Sequence, residues 1–165
     1  MQKVAVFEKV SEDIFNTALA NTGNAEKGVL ADVKLPARAT TGSAGYDFYA
    51  PFDIVLKPNE TAKIPTGIRA KIDDGWFLAI YPRSGLGFKF RLQLDNTVGI
   101  IDADYYYSDN EGHIIIKITN CSVENKTVEV KKGQGFAQGI FTPFGITYND
   151  DATNVRNGGF GSTTK

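Results

Sequence analysis

Turn-forming clusters punctuate the chain at short intervals from residue 29 onward: Lys57-Pro58-Asn59-Glu60, Asp73-Asp74-Gly75, Asp109-Asn110-Glu111-Gly112 and Lys131-Lys132-Gly133. The runs between them alternate with the period of a strand, as in Ile68, Ala70 and Ile72, and again in Ile114, Ile116 and Ile118. Long helices cannot fit between such breaks, so the punctuation predicts an all-β sandwich or barrel, with a jelly roll as the specific expectation. Residues 76–81 are apolar throughout and suit a strand buried on both faces. A strand is also expected across residues 4–10, followed by the one substantial helix. Ser11 can cap that helix, Glu12 and Asp13 sit at its positive end, and Ile14, Phe15, Ala18 and Leu19 form one apolar face. Gly23 lies where it would stop.

At 165 residues the chain is long enough for one domain with a core that needs no disulfide or metal staple. Its 18 basic and 19 acidic residues nearly cancel, and basic residues never cluster beyond Lys131-Lys132. A nucleic-acid polymer is therefore not an expected partner. Cys121 is the only cysteine, which points to a reducing, intracellular setting and to a packed small hydrophobe. The first residues lack the apolar core of a signal peptide, and no run reaches membrane-spanning length, so a cytoplasmic protein without membrane contact is expected.

Several segments carry groups with chemical use. Asp102 and Asp104 follow directly on the apolar pair Ile100-Ile101 and precede three tyrosines, Tyr105 to Tyr107. Acids at the end of a buried run suit a pocket wall; a solvated hairpin face is the plainer alternative. Pro82-Arg83-Ser84-Gly85-Leu86-Gly87 places a guanidinium, a hydroxyl and glycine amides at a strand end, a nest for phosphate oxygens. Asp47 lies in the apolar-aromatic run of residues 44–50, where it could equally be an ion-pair partner. Gln138 lies among apolar neighbours, where a backbone-bonded glutamine is the plainer alternative. His113 is isolated and reads as structural. No His/Cys cluster suits zinc. The last residues, 149–165, are polar and glycine-rich around a single aromatic, Phe160. They read either as a frayed end or as a lid, with Arg156, Ser162 and Thr163 as phosphate donors and Phe160 as a stacking face.

Taken together, Ala44-Gly-Tyr-Asp-Phe48, Pro82-Arg-Ser-Gly-Leu86, Gly99-Ile-Ile-Asp-Ala-Asp-Tyr105, Gly133-Gln-Gly-Phe-Ala-Gln138 and Gly158-Gly-Phe-Gly-Ser-Thr163 resemble, in order, the five motifs of the homotrimeric dUTPase family. The resemblance spans residues 33–164. It implies a jelly-roll homotrimer that hydrolyses dUTP to dUMP and pyrophosphate with Mg²⁺, through three sites shared between subunits. Such an activity limits uracil incorporation into DNA and supplies dUMP for dTMP synthesis. By position, Asp102 would hold the water that attacks the α-phosphorus. Tyr105 would pack on the deoxyribose and exclude a 2′-hydroxyl. Asn96 and residues 98–101, with Gly99 and Ile101 among them, would read the uracil edge. Arg83, Ser84, Gly85 and Gln138 would meet or support the phosphates. Asp47 would orient the water shell of the metal, which needs no direct protein ligand. In the tail, Phe160 would cover the base, with Arg156, Ser162 and Thr163 on the phosphates and Gly161 in the same substrate-binding set. The implied organisation is an extension over 1–28, a core over 29–148 and a flexible arm over 149–165.

The chain departs from the family pattern in three places. Tyr106 to Gly112 lengthens the hairpin that follows Tyr105, Gly87 stands where alanine is common, and compact members lack the N-terminal strand and helix. The extension could pack on the trimer surface or meet a protein partner, as could the 106–112 hairpin. Two alternatives stand beside the dUTPase expectation. One is a dCTP deaminase, or its bifunctional relative, of the same fold; aligning the strand at 113–120 puts Lys117 where those enzymes carry a glutamate general base. The other is a non-catalytic jelly-roll module of regulatory or structural use.

Overall fold

The computed structural model describes residues 1–154. In chain order the elements are β1 (Ala5–Lys9), α1 (Glu12–Asn21), a 3-10 turn (Leu30–Asp32), β2 (Ala37–Arg38), β3 (Tyr46–Tyr49), β4 (Ile54–Leu56), β5 (Thr61–Pro65), β6 (Ile68–Ile72) and β7 (Trp76–Pro82). There follow α2 (Ser84–Phe90), β8 (Leu92–Leu94), β9 (Gly99–Ile101), a second 3-10 helix (Ala103–Tyr107), β10 (Ile115–Asn120), β11 (Val128–Val130) and β12 (Gly135–Pro143). The fold is thus mostly β, and no described helix is long and apolar enough to cross a membrane.

The largest sheet has the order β2-β3-β12-β7-β9; beside it lie β5-β10-β8 and the pairs β1-β6 and β11-β4. The alternation expected of β6 and β10 holds: Ile68, Ala70 and Ile72, and Ile116 and Ile118, are buried on one face, with Ile114 buried just ahead of β10. In β7 only Leu78, Ala79 and Ile80 are buried; the ends of the strand are half-exposed. One core gathers Phe15, Phe48, Ile64, Leu78, Ile118 and Phe136.

The N-terminal segment belongs to this core. Ser11 Oγ accepts the Ile14 amide at 3.3 Å, and the helix it caps buries Phe15, Ala18 and Leu19. β1 pairs antiparallel with β6, and Phe7 packs on Tyr46, Phe48 and Phe141. Burying Phe15 completely is worth about 2–3 kcal/mol in apolar transfer. The segment therefore packs on the core of its own protomer, a placement that the sequence left open.

Three expectations need correcting. A second helix, α2, occupies the stretch read as a glycine nest. Residues 103–107 form a 3-10 helix instead of continuing a strand into a hairpin, because Tyr105 turns into the core. Cys121 is only partly buried, with Sγ 3.8 Å from Gln93 Oε1, and so is not a packed hydrophobe.

Candidate active site

Strand register brings three of the five motifs together. Asp47 on β3 lies opposite Gln138 on β12, and Gln138 lies opposite Tyr81 on β7. Arg83, two residues past Tyr81, reaches back so that its Nε is 3.1 Å from Asp47 Oδ1, while its Nη1 donates to the Gly135 carbonyl at 3.3 Å. A Cβ on Gly135 would fall 2.8 Å from Arg83 Nη1, so glycine is needed for this approach. Gln138 Nε2 donates to the Pro82 carbonyl at 3.1 Å, which fixes the strand end from which Arg83 departs. Asp47 is thus an ion-pair partner, one of the two roles open to it in the sequence.

Ser84 and Gly85 open α2 and are exposed. The first amides of a helix lack intrahelical acceptors, so this end still offers the donors expected of a nest, through helix geometry. Arg83, Ser84, Gly85, Gln134 and Gly135 line a cavity of about 640 Å³. Gln134 and Gly135 were not singled out as site residues from the sequence, although they lie within the fourth motif.

The third motif lies elsewhere on the protomer. β8 pairs with β10 while β9 pairs with β7, so the two arms around Asn96 diverge into different sheets instead of closing as a hairpin. Between them opens a mostly apolar cavity of about 430 Å³, lined by Ile80, Leu94, Asn96, Gly99, Ile101, Ile114 and Ile116, with Lys63 and Lys117 also on its wall. β9 is an edge strand, so one side of its backbone is open to a ligand. Asp102 follows at once, half-buried, as the N-cap of the 3-10 helix. Tyr105 is 3% exposed; its hydroxyl donates to the His113 carbonyl at 2.9 Å and accepts from Asn110 Nδ2 at 2.8 Å. Asn110, which sequence reasoning did not single out, is thus a direct hydrogen-bond partner of Tyr105.

The two cavities share no lining residue. Ile101 is opposite Leu78, and Arg83 lies five residues beyond Leu78 in the direction away from Asp102. At a rise of ~3.4 Å per residue the backbones at Ile101 and Arg83 are roughly 17 Å apart. One protomer therefore does not bring Asp102 and Arg83 onto the same phosphate. Arg156, Phe160, Gly161, Ser162 and Thr163 lie outside the described residues.

A family model described as dUTPase matches residues 31–164. The chain belongs to the dUTPase family. The deoxyuridine 5'-triphosphate nucleotidohydrolase of Lactococcus lactis is 41% identical over 136 residues, covering 81% of this chain and 89% of that protein. The enzyme of the same name from Tolumonas auensis is 41% identical over 137 residues, covering 78% and 86%. Among solved structures, dUTPase from Streptococcus mutans superposes with a TM-score of 0.66 at 30% identity, over 86% of this chain and 97% of that one. A dUTPase of Staphylococcus aureus phage phi11, for which a structural Mg(II) ion is described, matches in fold with a TM-score of 0.64 at 20% identity, over 92% and 98%.

The dUTPase model begins at residue 31, so β1 and α1 lie outside it although they complete the same core. Among the described residues no group of three His, Cys, Asp or Glu converges to hold a metal.

Proposed function

We propose that this protein hydrolyses dUTP to dUMP and pyrophosphate by attack of water on the α-phosphorus, in a homotrimer whose sites combine residues of different subunits. The observation that carries this reading is the separation of Asp102 and Asn96 from the Arg83, Asp47 and Gln138 group. Both halves carry dUTPase motifs, yet each protomer keeps them apart, and closed symmetric assembly is the usual way to join such halves.

In the first half, the uracil enters the cavity between β8 and β9. The open edge of β9 at Gly99 and Ile101 offers backbone N–H and C=O groups to the base edge, with Asn96 at the rim. Tyr105 walls the deoxyribose, and Asp102 orients the attacking water. A carboxylate is a feeble base at neutral pH, so its contribution is chiefly positioning and balance of charge, which can supply several kcal/mol.

In the second half, Arg83 and the Ser84 hydroxyl and amides at the start of α2 bind the phosphates and stabilise the leaving pyrophosphate. Gln138 and Gly135 hold that group in place through Pro82 and Arg83. Asp47 would hold the water shell of a Mg²⁺ ion bound with the nucleotide, and that ion would supply further charge neutralisation. Phe160 would cover the base, with Arg156, Ser162 and Thr163 on the phosphates and Gly161 in the same substrate-binding set.

The dCTP deaminase alternative needs a general base where Lys117 stands. Lys117 Nζ is 2.6 Å from Asp95 Oδ2, a paired cation with no capacity to take a proton from water. Pyrophosphate release from dUTP with Mg²⁺, against Asp102→Asn and against ammonia release from dCTP, tests the reading. Ammonia release, or no turnover of dUTP, would overturn it.

A further inference from the structure

The Tyr105 phenol is held at its far end by two directional bonds, one donated to the His113 carbonyl and one accepted from Asn110 Nδ2. A buried ring needs no hydroxyl to fill space, and phenylalanine would fill the same volume without a polar group to desolvate. What the paired bonds add is orientation, because they fix the ring plane where packing alone allows it to slide.

Asn110 is itself fixed. Its Oδ1 accepts the Gly112 amide at 3.1 Å, and its carbonyl accepts the His113 amide at 3.1 Å. The turn that carries it is braced from three directions. Glu111 Oε2 accepts the Ser11 amide at 2.8 Å and lies 3.8 Å from Arg69 Nη1. Buried His113 accepts the Gly67 amide on Nε2 at 2.9 Å. Arg69 lies over the Tyr106 ring at 3.6 Å, and Tyr106 donates to Glu8 Oε2 at 2.6 Å. β1, β6 and the lengthened turn thus meet behind the 3-10 helix that carries Tyr105.

We propose that Asn110 is a positioning residue for sugar selection: by holding the Tyr105 phenol it fixes the ring against the deoxyribose, and so sets the preference for dUTP over UTP. This rests on Tyr105 being the wall of the sugar site.

The test uses the full chain with Asn110→Ala, Tyr105→Phe, the double variant and Tyr105→Ala. For each, kcat/KM with dUTP is compared with that for UTP, or with the inhibition constant of UTP where UTP is not turned over, and thermal midpoints are recorded. Asn110→Ala should lower the dUTP-to-UTP preference about fivefold, the worth of one neutral hydrogen bond, and Tyr105→Phe by at least as much, since it removes the bond to the His113 carbonyl as well. The double variant should lose no more than Tyr105→Phe alone, since that change already removes the one bond that Asn110→Ala removes. Additive losses, or an unchanged preference in Asn110→Ala while Tyr105→Ala relaxes it, would overturn the role of Asn110 and leave the sugar wall intact. An unchanged preference in Tyr105→Ala would overturn the sugar wall itself. Should Asn110→Ala fail to fold, Tyr105→Phe decides alone: an unchanged preference there overturns the proposal.

Discussion

The Arg83 guanidinium is held by Asp47, with Nε 3.1 Å from Oδ1, across a strand that separates their backbones. The pair is partly open to solvent, with side-chain exposures of 42% and 19%. Its worth lies in aim more than in stability, because partly exposed ion pairs contribute only about 0.2–1 kcal/mol. Asp47→Ala should therefore lower kcat/KM for dUTP by about tenfold or more, the usual scale for misplacing a phosphate-binding cation, while stability falls by no more than about 1 kcal/mol. Steady-state kinetics beside urea denaturation measure both; equal losses in the two would assign the pair a purely structural role.

His113 is buried among apolar groups, and burial pushes its pKa down to about 4, with the Glu111 charge opposing weakly. The unfolded chain takes up this proton near pH 6.5 and the folded chain does not, so stability is full above that pH and declines as pH falls toward 4. Between pH 7.5 and 5 the loss should be about 2 kcal/mol from this one group. Glu111 is lowered as well, chiefly by the Ser11 amide, and its contribution too is lost as pH falls, but only below about its unfolded value of 4.5. Urea midpoints of the wild type should fall across the upper window and stay flat in His113→Gln; a slope of the same size in the variant would refute the assignment.

Gly112 has φ of +70°, and a Cβ there would lie 2.7 Å from Tyr106 Cα and 2.8 Å from the Tyr105 carbonyl oxygen. Both contacts are backbone, so no side chain can yield. Gly112→Ala should cost at least about 2 kcal/mol, combining left-handed strain with the clash, and should lower dUTP turnover as the 3-10 helix moves. A fully stable, fully active variant would show that the turn is soft.

Phe15 has no exposed surface and packs between Gly67 and His113. Phe15→Ala should cost about 3–5 kcal/mol, and deletion of residues 1–28 should leave an unfolded or aggregated chain. Calorimetry on both variants checks this; a folded truncation with wild-type stability would make the segment an appendage.

Much of the fold was legible because its signals are short-range. The Ser11 cap, the apolar face of α1 and the alternation of β6 and β10 each depend on neighbours within a few residues. α2 was hidden by Gly85 and Gly87, whose intrinsic helix preference is poor. The 3-10 helix at 103–107 was hidden because a distant turn, through Asn110 and His113, draws Tyr105 inward. The motifs announced the chemistry, yet the split between Asp102 and Arg83 follows from pairing β9 with β7, a non-local choice that no window of sequence displays.

The most direct measurement is complementation between two inactive variants. Asp102→Asn and Arg83→Ala are co-refolded in equal amounts and assayed for pyrophosphate release from dUTP. If Asp102 and Arg83 of one site come from different subunits, random assembly restores about a quarter of wild-type activity. If both come from one chain, every site stays broken and the mixture remains as inactive as either variant alone.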